Sequence, residues 1–413
     1  MKILWIVGFL PPALAGALGL PAQASGSWVG ALQAALPKGE VQLAVCGFEP
    51  RLQTPRREEI GGTVYWGLPA GDRAALAAAL EAEQPQLVQL FGTESDHCAW
   101  VLELFDAQRV LVYIQGLAGP CGEHMADGLP PRFLRRQPFK EALALRTGGL
   151  TVRQQSQRLL AIGQKERQVL SAARHVLGRT QWDKAYCARY APGAQYHHLP
   201  EIMREPFYAG GWARSGCQPH RLFVSQGNLP LKGLHRAIEA LPALAARWPD
   251  TQLYVAGWPP PDKGPLLRPA LHWLAEYTGY LATLCRRLGV ADRVHYTGVL
   301  DAAAMRSQLL QAETYLLCSS VENSPNSLCE AMLTGTPCAA AAVGGVPSLL
   351  GPGEGKLFDP AVPGALAGAV EALWADPAGA DRLAAAGRRR ALAAHDPAAI
   401  AAALLALYRQ LAP

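Results

Sequence analysis

Short apolar runs alternate with amphipathic stretches along most of this chain. In the first half, residues 2–7, 41–48, 86–92 and 109–116 have the few charges and dense apolar side chains of strands buried on both faces. Residues 71–83, "GDRAALAAALEAE", lie between two of these runs and have a helical pattern. Strands that alternate with helices are typical of parallel sheets, so the pattern predicts an α/β fold.

The same alternation of strand-like and helical segments begins again after about residue 215. Strand-like runs occur at 220–227, 251–258, 293–298, 314–320 and 337–342, with helical stretches between them that include a long one ending at "CRRLGV". The two series predict two doubly wound, Rossmann-like domains with parallel sheets, over residues 1–205 and 206–395, with a Gly- and aromatic-rich linker at 201–218. No strand follows the helix at about 396–413, which we expect to pack back on the first domain.

The first 28 residues have two incompatible interpretations. One lysine, a long apolar run and "AQAS" resemble a secretory signal, but residues 2–7 could equally be a buried strand leading through "SGSW" into a helix. The nine cysteines are scattered without a C-x-x-C pair, which favours reduced thiols over a disulfide framework. Because cleavage would also remove the first strand, we expect no cleaved signal peptide and a cytoplasmic protein.

The charge of the chain is unevenly distributed. Residues 129–180 contain eleven Lys and Arg and two Glu, a net charge of +9, whereas the whole chain carries +5. This segment is either a solvated helical face or a surface for anionic lipid headgroups or a polyanionic substrate. No nucleic-acid recognition motif accompanies it, so a nucleic-acid partner is not expected.

The most informative stretch is "SSVENSPNSLCEAMLTGTPCAAAAVGGVPSLL", residues 319–350. Glu322 follows a strand in a predicted loop, so it should point into the ligand crevice. Pro325 can occupy the first turn of the next helix, and Glu330 lies within that helix. The backbone N–H groups at the start of this helix can bind a phosphate or a sugar hydroxyl.

Here the sequence resembles the retaining glycosyltransferases of family 4, which have the GT-B fold of two Rossmann-like domains facing across a cleft. The resemblance rests on "ENSPNSLCEAM" followed by G-x-P and "VGGVP", and it extends over nearly the whole chain. It includes "KILWIV", "LVQLFGTE", "YIQG", "GRTQWD", "LPEIMREPFY" and "GNLPLKG". The branch that it most resembles builds capsular and other surface polysaccharides in bacteria.

The resemblance implies a role for each motif residue. Glu322 should contact hydroxyls of the transferred sugar, Glu330 should hold the ribose of the nucleotide, and Lys232 should neutralise the diphosphate leaving group. Gly26 should let the backbone of the first, acceptor-side domain approach the diphosphate. The other expected donor-binding residues are Gly227, Asn228, Asn323, Ser324, Pro325, Asn326, Ser327 and Gln115, and Gly344 and Gly345 are expected to shape a loop.

Two positions depart from the family pattern. Many members have an arginine where Asn228 stands, so one phosphate cation is missing or comes from elsewhere. Many also have a histidine where Gln115 stands, and an amide can hydrogen-bond a sugar but cannot titrate as an imidazole does. His124 is close enough in sequence to be considered for the acceptor side, although a lone histidine is more often structural.

Three polar residues follow a strand end in the first half of the chain. Glu94, Asp96 and His97, in "FGTESDH", would lie at the mouth of the crevice. Glu94 and His97 are therefore candidates for the acceptor side, but these residues could equally cap the next helix.

The sequence thus predicts a glycosyltransferase that moves a sugar from a nucleotide-diphosphate donor to a glycan or lipid-linked acceptor with retention of configuration. No D-x-D-like cluster lies at a strand end, so no metal and no other cofactor is expected. Two alternatives remain: another GT-B enzyme such as a sugar-nucleotide epimerase, and a catalytically silent sugar- or lipid-binding partner of a polysaccharide assembly complex. We expect a location in the cytoplasm, with peripheral contact to anionic membrane through residues 129–180.

Overall fold

Two compact units make up the protein. The computed structural model describes residues 1–21, 27–262, 264 and 266–412. The first unit comprises Met1–Gly119, Ala161–Ile202 and His395–Pro413, and the second comprises Pro120–Leu160 and Met203–Ala394. Both units are discontinuous in sequence: residues 120–160, which the sequence placed in the first domain, pack with the second unit, and residues 395–413 pack with the first.

The first unit is built on an eight-stranded sheet. Its strands are β1 Lys2–Ile6, β2 Gln42–Glu49, β3 Arg56–Ile60, β4 Thr63–Pro69, β5 Leu87–Phe91, β6 Val110–Tyr113, β7 His175–Gly178 and β8 Gln195–His198. Their order is β3-β4-β2-β1-β5-β6-β7-β8, and only the β3–β4 pair is antiparallel. The predicted first strand is thus a central one, paired with β2 and β5.

The second unit contains a six-stranded sheet that is parallel throughout. Its strands are β9 Gln218–Val224, β10 Gln252–Val255, β11 Val294–Tyr296, β12 Ala312–Leu317, β13 Cys338–Ala341 and β14 Lys356–Phe358. The order is β11-β10-β9-β12-β13-β14, so β9 and β12 are neighbours at the centre although about 90 residues separate them. Loops that follow β9 and β12 therefore emerge side by side at the carboxyl edge of the sheet.

Helices connect the strands of both sheets. They are α1 Pro12–Ala17, α2 Ser27–Ala35, α3 Arg73–Glu83, α4 Asp96–Leu104, α5 Ala118–Glu123, α6 Pro138–Arg146, α7 Val152–Ala172, α8 Gln181–Tyr190, α9 Leu234–Arg247, α10 Arg268–Leu274, α11 Tyr277–Leu288, α12 Ala302–Gln311, α13 Asn326–Thr334, α14 Val346–Leu349, α15 Ala365–Trp374, α16 Pro377–Ala394 and α17 Pro397–Leu411. The helix predicted to end at "CRRLGV" is in fact two, α10 and α11. The chain breaks at Glu276, which has a φ of 47° and whose carboxylate accepts a hydrogen bond from the backbone N–H of Val152.

The closing helix α17 packs against the sheet of the first unit. The Trp5 indole donates a hydrogen bond to the Tyr408 hydroxyl at 2.7 Å, and that hydroxyl bonds Gln89. Within the described residues, one helical stretch, Pro377–Leu411, is long and apolar enough to cross a membrane. Its second half is α17, whose apolar side chains Ile400, Leu404 and Leu405 are buried in the core.

All nine cysteines lie in the described part of the chain and are free thiols. Seven of them are buried, and Cys121 and Cys217 are partly buried. They act mainly as small apolar side chains of the core.

Candidate functional site

A lysine and a glutamate meet at the carboxyl edge of the second sheet. Lys232 lies in the loop after β9 and Glu322 in the loop after β12. The Lys232 Nζ is 2.6 Å from Glu322 Oε1, and the Ser319 hydroxyl donates to the same oxygen at 2.7 Å. Both charged side chains are partly accessible, with 24% and 11% of their surfaces exposed, so the pair can be reached by a ligand.

Backbone contacts fix the two loops against each other. The Ser320 N–H donates to the Leu231 carbonyl at 2.8 Å. Gly233 has a φ of 69°, and a Cβ there would lie 1.9 Å from the Cys318 carbonyl oxygen, so only glycine allows this approach. On the other side, Gly345 donates to the Glu322 carbonyl at 2.9 Å, and Gly344 has a φ of 52° that brings its Cα against the same carbonyl. "LKG" and "VGGVP" therefore hold Lys232 and Glu322 in place.

The start of α13 lies next to this pair. Pro325 is the residue before the first turn, with a φ of −71°, and its carbonyl accepts from the Leu328 N–H. The Ser327 hydroxyl accepts from the Tyr315 hydroxyl at 2.8 Å, and Tyr315 in turn contacts the Ser225 hydroxyl after β9 at 3.0 Å. The predicted donor-binding residues of this region are thus consecutive in one loop and helix start: Asn323, Ser324, Pro325, Asn326 and Ser327.

Glu330 has a partner that the sequence analysis missed. Both oxygens of its carboxylate are held by Arg204, at 2.6 Å from Nε and 2.7 Å from Nη2. The Arg204 guanidinium also lies over the Phe207 ring, 4.9 Å from its centroid. Burial raises the pKa of the Glu330 carboxyl, and the hydrogen bonds and charge of Arg204 oppose that rise. The motif "MREPF" could have suggested Arg204, but nothing in its spacing links it to residue 330.

Asn228 and Gly227 lie in the first part of the lysine loop. Gly227 packs against Val255 and Leu234, and Asn228 lies against the backbone of Gly257. The Asn228 side chain also borders a small cavity of about 110 Å³ lined by parts of 144–155 and 274–278.

A second cation close to this loop is Arg236, in the first turn of α9. Its Nη1 donates to the Ser320 hydroxyl at 2.9 Å and to the Cys318 carbonyl at 3.4 Å. Arg236 therefore stabilises the loop that carries Glu322. Arg236 was not among the residues predicted from the sequence.

Two predicted residues lie together in the first unit. The Glu94 carboxylate accepts from the Thr93 N–H at 2.8 Å and from the backbone of Gly116, the residue after Gln115. Burial raises the pKa of Glu94. The Gln115 carbonyl accepts from Arg179, and its Nε2 is buried without a hydrogen-bond partner in the described part of the chain.

The remaining candidates have separate positions. Gly26 lies outside the described residues. His97 is buried in α4 and stacks on Phe48, with ring centroids 4.3 Å apart, and burial lowers its pKa to about 4. His124 belongs to the second unit and bonds Asp127 at 2.7 Å. Because its pKa is lowered to about 4, the His97 ring is neutral at neutral pH.

The cations of the basic segment 129–180 are not all exposed. The segment is divided between the two units at residue 160. Arg179 is 5% exposed and pairs with Glu201 at 2.7 Å, and Lys140 is 7% exposed and lies 3.4 Å from Glu276. Part of the predicted surface charge is therefore neutralised inside the protein.

Glu166, on α7, is a buried acid that the sequence analysis did not single out. Its carboxylate accepts from the Ala118 N–H at 2.9 Å, the Tyr186 hydroxyl at 3.1 Å and the Thr93 hydroxyl at 3.3 Å. Burial, together with the charge of Glu94, raises the pKa of Glu166 from 4.5 to about 7. It links the chain segments that follow β5 and β6 to α7 and α8.

Replacing this acid is expected to change how stability depends on pH. Because the folded protein binds the Glu166 proton more tightly, the associated stability is fully present below pH 4.5 and is lost as pH rises through about 7. The loss is roughly 3 kcal/mol, at about 1.4 kcal/mol per pKa unit. Glu166→Gln should remove this pH dependence. The free energy of unfolding, measured with urea at several pH values, should therefore change less with pH in the variant than in the wild type. Equal slopes between pH 5 and 8 would contradict this assignment.

No group of three or more His, Cys, Asp or Glu side chains suited to a metal ion occurs among residues 1–21, 27–262, 264 and 266–412. The candidate site offers cations, amides and hydroxyls that can bind an anion, and carboxylates that can accept hydrogen bonds from hydroxyl groups.

Comparison with known proteins supports the predicted class. Residues 218–390 match the family model of glycosyl transferases group 1. The chain is 28% identical over 200 residues to "MMP alpha-(1->4)-mannosyltransferase" of Mycolicibacterium hassiacum, which covers 48% of this chain and 44% of that protein. It is 29% identical over 227 residues to the "GDP-mannose-dependent alpha-(1-6)-phosphatidylinositol monomannoside mannosyltransferase" of Mycolicibacterium smegmatis, covering 50% and 54%. The chain thus spans about half the length of these relatives.

The fold is shared with a solved structure. Sucrose-phosphate synthase from Thermosynechococcus elongatus superposes with a TM-score of 0.70 at 21% identity, over 100% of this chain and 99% of that one. This likeness confirms the predicted GT-B fold class of two parallel-sheet α/β units.

Proposed function

We propose that this protein is a retaining glycosyltransferase of family 4, which transfers a sugar from a nucleotide-diphosphate donor to a glycan or lipid-linked acceptor. The observation that carries the proposal is the contact between Lys232 and Glu322 at the edge of the second sheet, beside the start of α13. This contact lies within the region that matches glycosyl transferases group 1. A cation, a carboxylate and a helix N-terminus together suit a sugar joined to a diphosphate.

Each group has a chemical task in such a reaction. Departure of a nucleoside diphosphate builds negative charge on its phosphate oxygens, and a nearby ammonium stabilises that charge. An ammonium has three donors, so Lys232 can keep one on Glu322 and offer others to phosphate. Glu322 then accepts from sugar hydroxyls. The leaving phosphate itself can take the acceptor proton, so no enzymic nucleophile is needed.

The carboxylate of Glu330 is suited to the ribose. Its two oxygens each use one lone pair for Arg204, and each keeps another for a hydroxyl donor. Arg204 favours the ionised carboxylate against the effect of burial. We infer that Arg204 orients Glu330 and that Glu330 binds the two ribose hydroxyls.

We further propose that no metal ion takes part and that Lys232 and the dipole of α13 serve instead. The biological role would be surface polysaccharide synthesis at the inner face of the cytoplasmic membrane. The names of the mannosyltransferase relatives make a mannosyl donor worth testing first, since one of them is described as GDP-mannose-dependent.

A thermal-shift panel tests the donor site. UDP, GDP, ADP, CMP and dTDP are added separately to the purified full-length protein, with Mg²⁺ and with EDTA. A nucleotide at 100 times its Kd should add about 2.7 kcal/mol of stability. We expect one diphosphate to raise the Tm equally in both conditions, and Lys232→Met to reduce that shift. A shift that requires Mg²⁺ would overturn the metal-free proposal, and no shift with any nucleotide would overturn the donor site.

A catalytically silent binder is a second candidate, favoured by Asn228 and Gln115 at positions where the family often has cations or titratable rings. Release of free sugar from the matching nucleotide sugar separates the two, because a binder takes up the nucleotide and never turns over.

A further inference from the structure

Large apolar side chains are unusually exposed in one part of the second unit. Twelve such side chains are exposed in the described part of the protein, and seven of them come from two short segments, 134–145 and 266–274. They are Leu134, Phe139, Leu145, Leu266, Leu267, Trp273 and Leu274. Phe139 is 76% exposed and Leu266 is 93% exposed. A soluble surface rarely gathers large apolar side chains in this way without a binding purpose.

The two segments are in contact, which brings Phe139 and Trp273 onto one surface. The Phe139 ring stacks on the Trp273 ring, with centroids 6.4 Å apart. Lys140 lies with its Nζ 5.1 Å from the centre of the Trp273 ring and 3.4 Å from Glu276. We call the surface formed by α6, α10 and the residues flanking them the α6–α10 surface.

A cavity of about 460 Å³ opens within this surface. Its walls include the aromatic rings of Phe133, Trp273 and Tyr280 and four cationic side chains, Arg132, Lys140, Arg268 and Arg286. Glu276 is the acid that lines it. The volume is within the range of about 300–1,000 Å³ typical of small-molecule sites.

The positive charge of this cavity is only partly neutralised. Lys140 pairs with Glu276, and Arg268 pairs with Asp262 at 2.8 Å. Arg132 and Arg286 form no ion pair with an acid in the described part of the chain. The Arg132 guanidinium lies 5.4 Å and 5.6 Å from the centres of the Phe133 and Tyr280 rings, which hold it in place. Two arginines thus remain available to an anion.

A buried imidazole adds to the polar wall of the cavity. His272 is 9% exposed, and its Nδ1 has no hydrogen-bond partner in the described part of the chain. Burial lowers the pKa of His272, and the charges of Arg286 and Arg268 lower it further. Four cationic side chains against one acid in the lining favour an anion in this cavity.

We propose that the α6–α10 surface docks on a membrane that contains anionic phospholipid. Its Leu, Phe and Trp side chains enter the membrane interface, and the cavity lined by Arg132 and Arg286 receives a lipid phosphate. Exposed apolar and aromatic side chains around cations have the composition of surfaces that lie in the headgroup region. A soluble anionic ligand would explain the cavity, but not the exposure of Phe139 and Leu266.

Membrane docking rests on the proposed function, because it would bring the enzyme to a lipid-linked acceptor. It also enlarges the predicted membrane contact, because half of the surface comes from residues 266–274, which lie far in sequence from the basic segment. Vesicle binding needs no nucleotide, so its result is separate from that of the donor-site assay.

The test is co-sedimentation of the full chain with phosphatidylcholine vesicles and with vesicles that also contain about 30% phosphatidylglycerol, at low salt and at about 0.5 M salt. We expect retention only by the anionic vesicles, weakened by salt. Phe139→Ser combined with Leu266→Ser should lower the partition coefficient on the order of tenfold or more. Arg286→Glu should lower it by tenfold or more, at roughly fivefold for each unit of charge changed.

Matched variants separate these effects from general changes in the surface. Leu104→Ser combined with Val362→Ser removes two exposed apolar side chains elsewhere, and Arg382→Glu reverses an exposed charge elsewhere. Both should leave vesicle binding unchanged, and all variants should keep the wild-type Tm. Equal binding by the test and control variants would overturn the assignment to this surface. Failure of the anionic vesicles to bind would overturn the membrane proposal, and a Tm raised by glycerol 3-phosphate alone would then indicate a soluble phosphate ligand.

Discussion

Lys232→Ala should lower kcat by about 10²–10³-fold, the usual cost of removing one group that stabilises charge in the transition state. The ammonium is expected to act on the leaving diphosphate, so its loss should affect turnover more than donor affinity. The measurement is steady-state transfer, or release of free sugar, with the nucleotide sugar whose diphosphate raises the Tm. Lys232→Arg should recover part of the rate, since a guanidinium keeps the charge but not the shape.

The folded state should tolerate this change. Glu322 loses the contact at 2.6 Å but keeps the Ser319 hydroxyl, and its loop remains bonded to Leu231 and Gly345. Lys38→Ala, which removes an exposed lysine in the first unit, serves as the control and should keep full activity. A kcat within threefold of the wild type for Lys232→Ala would contradict the role given to this residue.

Arg204→Met should weaken nucleotide binding on the order of tenfold or more, because hydrogen bonds to charged groups contribute about 1.5–3 kcal/mol. Without its partner, the buried carboxylate of Glu330 is no longer held in one orientation. Burial already raises the pKa of Glu330, and loss of the arginine raises it further. As pH is lowered, the affinity of the variant should therefore start to fall at a higher pH than that of the wild type.

The measurement is the nucleotide-induced Tm shift between pH 5 and 8. Arg214 provides a matched control, because it lies in the same unit, is 27% exposed and pairs with Glu313 and Asp381. Arg214→Met should lower the Tm without altering nucleotide affinity. If both arginine variants bind the nucleotide as the wild type does, Glu330 does not depend on Arg204 for its function.

Much of the fold follows from local sequence. Runs such as residues 2–7 and 86–92 are apolar at nearly every position because both faces of a parallel sheet are covered, and the structure confirms them as β1 and β5. The hairpin of β3 and β4 was missed. β3 reads "RREEI" and lies at the sheet edge, where exposed strands carry charges and lack the apolar signal.

The candidate site, too, could be predicted only in part from the sequence. Glu322 could be identified because it follows a strand, where the fold places ligand-binding loops, and Lys232 because its motif resembles one of a known family. Arg204 and Arg236 could not, because their contacts join positions far apart in sequence. Arg204 lies 126 residues from Glu330, and Arg236 lies 84 residues from Ser320. Periodicity carries no information about such pairs.

The sequence by itself determined the alternation of strands and helices, the α/β class and the loops that hold the charged motif residues, since these depend on local apolar patterns and on glycines at fixed offsets. Only the tertiary structure decided which side chains meet. It buried Glu166 beside Glu94, paired Arg204 with Glu330, and brought residues 134–145 against 266–274. Charge, burial and exposure of a side chain depend on neighbours from other segments, and those neighbours are fixed only when the whole chain is packed.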